Sequence, residues 1–182
     1  GRDATVIHPP VDTGYFDVSA APKPSPGYYV TASRHVPYKR IDLIAAAFKD
    51  LPTQRLIIAG AGPETGRIRA VAGPNVEFAG EVPRDQLRAL FQGARAFVFA
   101  AEEDFGIVPV EAQACGRPVV ALGRGGVLDT VIDGETGVLV PDTSIEALAR
   151  GMTRAAATSW DAARIRQHAE RFSRQRFITE IQ

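Results

Sequence analysis

The chain has 182 residues, 45% of them hydrophobic and 23% charged, with 21 basic and 21 acidic side chains and a formal net charge of zero. That length supports one domain with a substantial core, and the neutral balance points away from a nucleic-acid or anionic-membrane surface. The one cysteine, Cys115, rules out an internal disulfide, and His8, His35 and His168 lie too far apart for metal-ligand spacing.

In chain order, residues 5–7 read as a strand. Residues 8–27 read as a connector in which Pro9, Pro10, Pro22, Pro24 and Pro26 exclude regular structure. Residues 27–32 (GYYVTA) read as the first central strand and residues 33–37 as a loop. Residues 39–49 follow as an amphipathic helix with Ile41, Leu43, Ile44, Ala47 and Phe48 on its apolar side. Residues 55–59 are the second strand, and Gly60-Ala61-Gly62-Pro63 turns into a short helix. Residues 76–79 are the third strand, with a helix running through Phe91.

Residues 96–100 form a short unbroken apolar run, as in a parallel strand buried on both faces. Gly106 permits a tight turn, and Pro109 suits the first turn of a helix, where no backbone donor is needed. That helix should end near Cys115, with Gly116 just beyond it and Pro118 blocking continuation. Residues 119–122 and 138–140 are further strands, and the loop 123–126 opens a short helix to Ile132. Residues 144–156, 161–171 and 173–182 read as helices, with Ser144 and Ser173 as N-caps. Strands that alternate with helices imply an α/β fold, a Rossmann-like doubly wound parallel sheet with helices on both faces. The expected division is a strand and connector over 1–26, a nucleotide-binding domain over 27–171 and a C-terminal helix over 172–182. No apolar run approaches the roughly 20 residues of a membrane-spanning helix, which suggests a cytoplasmic location.

The amides of Phe105, Gly106, Ile107 and Val108 should point out of the carboxyl end of the sheet. Open α/β sheets bind ligands at that end, and a helix N-terminus attracts an anion. Glu103 and Glu111 bracket this turn. A helix dipole explains an acid before the turn, but not Glu111 among apolar neighbours. Carboxylates accept from sugar hydroxyls while backbone amides serve a phosphate, so the pattern suits a ligand carrying both. Arg34 lies just past the first strand, at the same edge. Lys39 and Arg40 fall in the first turn of the next helix, where cations oppose the dipole. A local rule broken at a ligand edge suggests function, and a phosphate between Arg34, Lys39 and the focal helix would resolve the conflict. His35 reads as an ordinary loop residue and Cys115 as a buried structural thiol.

These residues resemble a known family. Glu103-x₇-Glu111, with Phe105-Gly106-Ile107-Val108-Pro109 between, is similar to the donor-site signature of retaining glycosyltransferases of family 4, which have two Rossmann-like domains facing a cleft (GT-B). The likeness continues through Ser33-Arg34, Pro37-Tyr38-Lys39-Arg40, Gly60-Ala61-Gly62-Pro63-Glu64, Gly80-Glu81-Val82, Gly125-Gly126 and Asp133-Gly134-x-x-Gly137. It corresponds to the C-terminal, donor-binding domain.

The resemblance implies that Arg34 and Lys39 bind the donor diphosphate and stabilise the leaving group, and that Glu103 contacts the transferred sugar. The backbone of residues 105–108 and Gly62 would line the donor site, Glu111 would bind the ribose hydroxyls, and the backbone near Val82 would touch the base. It implies no metal or other cofactor, because Arg and Lys take the place of a divalent ion. Residues 36–40 and 102–110 are most similar to members assigned as mannosyltransferases, which implies GDP-mannose. It further implies an N-terminal acceptor-binding domain outside this sequence, to which the final helix crosses back and through which the protein would meet a membrane. This chain alone should then bind donor without transferring sugar.

Two other readings remain. Gly60-x-Gly62-x-x-x-Gly66 misses the dinucleotide fingerprint by one residue, and Glu81 stands where a ribose-binding acid would follow, as in a nicotinamide-dependent oxidoreductase. The other is a nucleotide-binding module without chemistry.

Overall fold

The computed structural model describes residues 6–18 and 27–182. Among these residues the strands are β1 (Tyr29–Ala32), β2 (Leu56–Ala59), β3 (Val76–Gly80), β4 (Ala96–Phe99), β5 (Val119–Leu122) and β6 (Gly137–Val140). They stand in the order β3-β2-β1-β4-β5-β6, and every pairing is parallel. The helices are α1 (Ile41–Ala47), α2 (Thr65–Val71), α3 (Arg84–Gly93), α4 (Ile107–Ala114), α5 (Val127–Thr130), α6 (Ile145–Ala157), α7 (Ala162–Ala169) and α8 (Arg174–Ile181). None is long and apolar enough to cross a membrane.

Successive residues of a strand point to opposite faces, so a sheet covered twice must be apolar at every position. All residues of β1, β2, β4 and β5 are buried, and all but Thr31 of β1 are apolar. Tyr29, Ile58, Val98 and Val120 join one core with Ile44 of α1, Ile68 of α2 and Leu148 and Met152 of α6. Val30, Ile57, Phe97 and Val119 join the other with Phe91 of α3, Val110 of α4 and Ala169 of α7. The doubly wound expectation is met.

Local chemistry sets the boundaries. Ser144 Oγ accepts from the Ala147 amide and Ser173 Oγ from the Arg176 amide, so both expected N-caps form. Cys115 caps α4, and Gly116 follows with a left-handed φ of 72°. Three expectations need correction. Val6 and Ile7 form no strand, and Thr5 lies outside the described residues. Val6 is 75% exposed, with nothing to pair against ahead of Pro9 and Pro10. The connector is also not wholly irregular, because Val11 bridges to Ser173 and its amide donates to the Phe172 carbonyl at 2.8 Å. Pro22, Pro24 and Pro26 lie outside the described residues.

The third correction concerns residues 39–49. A 3₁₀ turn, Pro37–Lys39, closes first, α1 spans Ile41–Ala47, and a second 3₁₀ turn, Phe48–Asp50, follows. Arg40 interrupts the run. Its φ of 51° is the only left-handed value at a described non-glycine residue, and its amide donates to the Pro37 carbonyl. Lys39 therefore precedes α1 and Arg40 caps it, so neither cation sits in the first turn. The proposed boundary at residue 172 also falls inside a turn, Glu170–Phe172, whose Phe172 is buried in the main core.

Phe97 sits at the centre of β4 and is fully buried against Phe91 and Phe99. Phe97→Ala should lower the unfolding free energy by about 3–5 kcal/mol in urea titrations, because a cavity replaces the ring. A loss under about 1 kcal/mol would place the ring outside the rigid core.

Candidate functional site

The switch point of the sheet lies between β1 and β4. The chain leaves β1 for α1 on one face and leaves β4 for α4 on the other, which opens a crevice at the carboxyl edge. Gly106 makes the turn out of β4 at φ 84°, ψ 77°, a conformation that costs a side-chain-bearing residue energy. Helix α4 starts at Ile107, and no described side chain caps it. Pro109, its third residue, has no amide to satisfy. The first-turn amides of Ile107 and Val108 are therefore free donors at the positive end of the helix.

Lys39 reaches across the crevice. Its Nζ donates to Glu103 Oε1, with the two side chains 15% and 22% exposed, and it also lies over the rings of Tyr38 (5.2 Å) and Phe99 (5.8 Å). Among the described residues no carboxylate pairs with Arg34, which is exposed and lines a recess with Ser33, Gly60, Ala61, Gly62 and Glu81. An adjoining cleft of about 420 Å³, mostly apolar, is lined by Ser33, Gly60, Glu81, Val82, Leu87 and Val108. Its walls suit a flat ring such as a nucleobase. On the other side of Glu103 an acidic hollow is lined by Glu102, Asp104, Gly125, Gly126 and Asp129.

The structure thus brings together Lys39 with Glu103, Arg34 with Gly62, and Val82 with Val108. Phe105 and Gly106 are buried at the turn and Ile107 is exposed. Glu111 lies three residues after Val108, on the same helical face. Burial pushes its carboxyl up to about 7, while the Arg84 guanidinium pulls the other way. Arg84 is itself bonded to Asp12 at 2.7 Å. The Gly62 amide already donates to Thr65 Oγ1, so Gly62 contributes shape rather than a free donor.

Arg40 turns away to Asp42, at 3.7 Å. His35 is fully buried, with its Nδ1 2.8 Å from Thr65 Oγ1 and its pKa lowered by desolvation. It supports the loop from beneath. Cys115 is structural, as expected, with burial pushing the thiol up to about 12. The sequence reading gave Ser33 no role, naming it only beside Arg34, and missed Leu87, Asp129 and the ring bed under Lys39. Ser33 alone carried a signal, being the first residue past β1.

The glycines that suggested a dinucleotide fingerprint follow β2 rather than the central β1. A Cβ at Gly60 would lie 1.9 Å from the Ser33 carbonyl oxygen, and one at Gly62 would lie 2.5 Å from that of His35. Close packing of two loops is what requires them.

A crevice at the switch point of such a sheet, with free helix amides and facing cations, defines a Rossmann-like domain of the nucleotide-binding class. Residues 17–172 match the family of glycosyl transferases group 1, and the chain belongs to that family. It is 35% identical to a GDP-mannose-dependent α-(1-6)-phosphatidylinositol monomannoside mannosyltransferase of Mycolicibacterium smegmatis, over 65% of this chain and 36% of that protein. Among solved structures, a sucrose-phosphate synthase from Thermosynechococcus elongatus superposes with a TM-score of 0.83 at 26% identity, over 97% of this chain and 50% of its own. Anabaena HepE, solved in complex with UDP and glucose, superposes with a TM-score of 0.76 at 25% identity, over 97% of this chain and 55% of its own. The chain thus spans about a third of that curated relative and about half of these solved chains.

Glu111 yields a prediction with a definite sign. Its folded pKa lies above the usual 4.5, so between those values the fold holds a proton that the unfolded chain has released. The associated stability is complete below 4.5 and is lost as pH rises through about 7. Glu111→Gln should remove this slope, leaving the variant more stable than the native chain at pH 8 and not at pH 4.5 in parallel urea titrations. Identical pH slopes for the two chains would show that Glu111 is ionised in the fold.

Proposed function

We propose that the chain is the donor-binding domain of a retaining, metal-independent glycosyltransferase and holds a nucleotide-diphosphate sugar in the crevice between the loops after β1 and β4. The observation that carries this reading is the pairing of Lys39 with Glu103 across that crevice, beside the uncapped N-terminus of α4. A cation, a carboxylate and free amides within one crevice match a ligand that carries phosphate and hydroxyls together.

In this reading Arg34 and Lys39 bind the diphosphate and stabilise the charge that develops on it as the glycosidic bond breaks, the task a divalent ion would otherwise perform. The amides of the 105–108 turn hold sugar and phosphate oxygens, Glu103 contacts the transferred sugar, and Glu111 accepts from the ribose hydroxyls. The base enters the apolar cleft beside Val82. We favour GDP-mannose as the donor. The M. smegmatis relative supports that choice, whereas HepE was solved with UDP and glucose. A second domain supplies the acceptor side of the cleft.

Arg34→Ala and Lys39→Ala should each weaken nucleoside-diphosphate binding by about 1.5–3 kcal/mol, the value of a charge-assisted hydrogen bond, and leave nucleoside binding nearly unchanged. Calorimetric titration decides this, and equal losses for nucleoside and diphosphate would remove both residues from the phosphate. The glutamates should separate by ligand part. Glu111→Ala should weaken every ribonucleotide. Glu103→Ala should reduce only the extra affinity for the sugar-bearing donor, without weakening the diphosphate, since it also frees Lys39.

Transfer needs donor and acceptor held in near-attack geometry, which can account for about 7–11 kcal/mol of a barrier. This chain forms one wall of the cleft. Incubated with donor and candidate acceptors, it should release no nucleoside diphosphate in an acceptor-dependent way. Acceptor-dependent turnover near 1 s⁻¹, the low end of typical enzyme rates, would show that one domain suffices.

A further inference from the structure

Phe105 opens the turn whose amides face the crevice, and its side chain points the other way, into a small aromatic cluster. The ring is 8% exposed. His8 stacks on it at 5.3 Å between centroids and 26° between planes. Phe172 meets the same ring edge-on at 5.4 Å, and His8 meets Phe172 at 5.6 Å, so the three rings close a triangle. The backbone of Phe105 is confined from another side, where a Cβ added at Gly126 would lie 2.4 Å from its Cα. The turn is therefore held at its backbone by the Gly125-Gly126 loop and at its side chain by His8 and Phe172.

Two of these rings come from distant parts of the chain. His8 belongs to the segment ahead of β1, and Phe172 ends the turn that leads into α8. The two segments are fastened together. The Val11 amide donates to the Phe172 carbonyl at 2.8 Å, and Thr13 Oγ1 donates to Glu170 Oε2 at 2.8 Å. A displacement of this unit reaches the anion turn through the contacts of His8 and Phe172 with the Phe105 ring. Packed interiors do not deform smoothly, so removing a stacked ring leaves room for Phe105, the residue that leads into the amides of that turn, to settle elsewhere.

We propose that His8 is a positioning residue for donor binding: stacked on Phe105, its ring sets the direction of the Gly106, Ile107 and Val108 amides toward the diphosphate and sugar. The positioning can be tested without ligand, while its consequence for affinity rests on the donor-domain reading above. Binding is reciprocal, so a donor seated on the turn also tightens the hold of the turn on the segment that carries His8.

The test compares the native chain with His8→Ala and His8→Phe. In residual dipolar couplings measured without ligand, His8→Ala should change the N–H directions of Gly106, Ile107 and Val108, and His8→Phe should return them toward native values. In titrations with GDP, UDP, their mannose and glucose conjugates, and guanosine and uridine, His8→Ala should weaken the diphosphates and conjugates about tenfold, in the range of one misaligned charge-assisted hydrogen bond. It should leave the nucleosides within about twofold, well below the effect of such a bond, and His8→Phe should restore the loss. Unchanged turn-amide directions in His8→Ala would overturn the proposal, as would equal losses for nucleosides and diphosphates or a failure of His8→Phe to rescue. If the turn amides reorient as expected but the native chain binds none of these nucleotides, the donor-domain reading fails while the positioning of the turn stands.

Discussion

The ligand edge depends on one topological constraint. β1 and β4 lie side by side at the centre of the sheet, and the helices that follow them go to opposite faces. The two connections must then part, and the space between them is the crevice. Burial favours the arrangement, because every residue of both strands is buried and all but Thr31 are apolar, as in strands covered on both faces. The side chains at the crevice are placed by this core, and the ligand chemistry follows from which loops the core pulls apart.

Charge at Lys39 is balanced within the crevice. Lys39 is shared between Glu103 and the faces of Tyr38 and Phe99, and burial favours the neutral form of Glu111. In the proposed reading a diphosphate would meet the unpaired Arg34 and would replace Glu103 as the anionic partner of Lys39. Glu103 would then be released to accept from sugar hydroxyls. Under the proposed function, that exchange would tie recognition of the phosphate end to recognition of the sugar end, since both would draw on the same ion pair.

Much of this was legible in the sequence because it is local. Apolar runs of four or five residues located the strands, and Ser144, Ser173, Gly106 and Gly116 placed helix ends through chemistry that spans a few residues. Glu103, Glu111 and the turn between them stood out for the same reason. What stayed hidden depends on residues far apart in the chain. Lys39 and Glu103 are 64 positions apart, and nothing in the sequence announces their pairing. Arg40 in the left-handed region was unreadable because its neighbours look helical, and the break is imposed by the 3₁₀ turn before it. The expected strand failed in the opposite sense at Val6 and Ile7, which pair with no strand of the sheet. The glycine pair at 60 and 62 came within one residue of a dinucleotide fingerprint, but the close approach of the neighbouring loop is what requires glycine there.

The most direct test of this account is a crystal structure of the chain with a nucleoside-diphosphate sugar. The account predicts the distal phosphate within hydrogen-bond distance of Arg34, Lys39 and the first-turn amides of α4, with Lys39 withdrawn from Glu103, the ribose on Glu111 and the base beside Val82. A nucleotide seated instead on the Gly60–Gly62 loop, or one that left the Lys39–Glu103 pair intact, would contradict it.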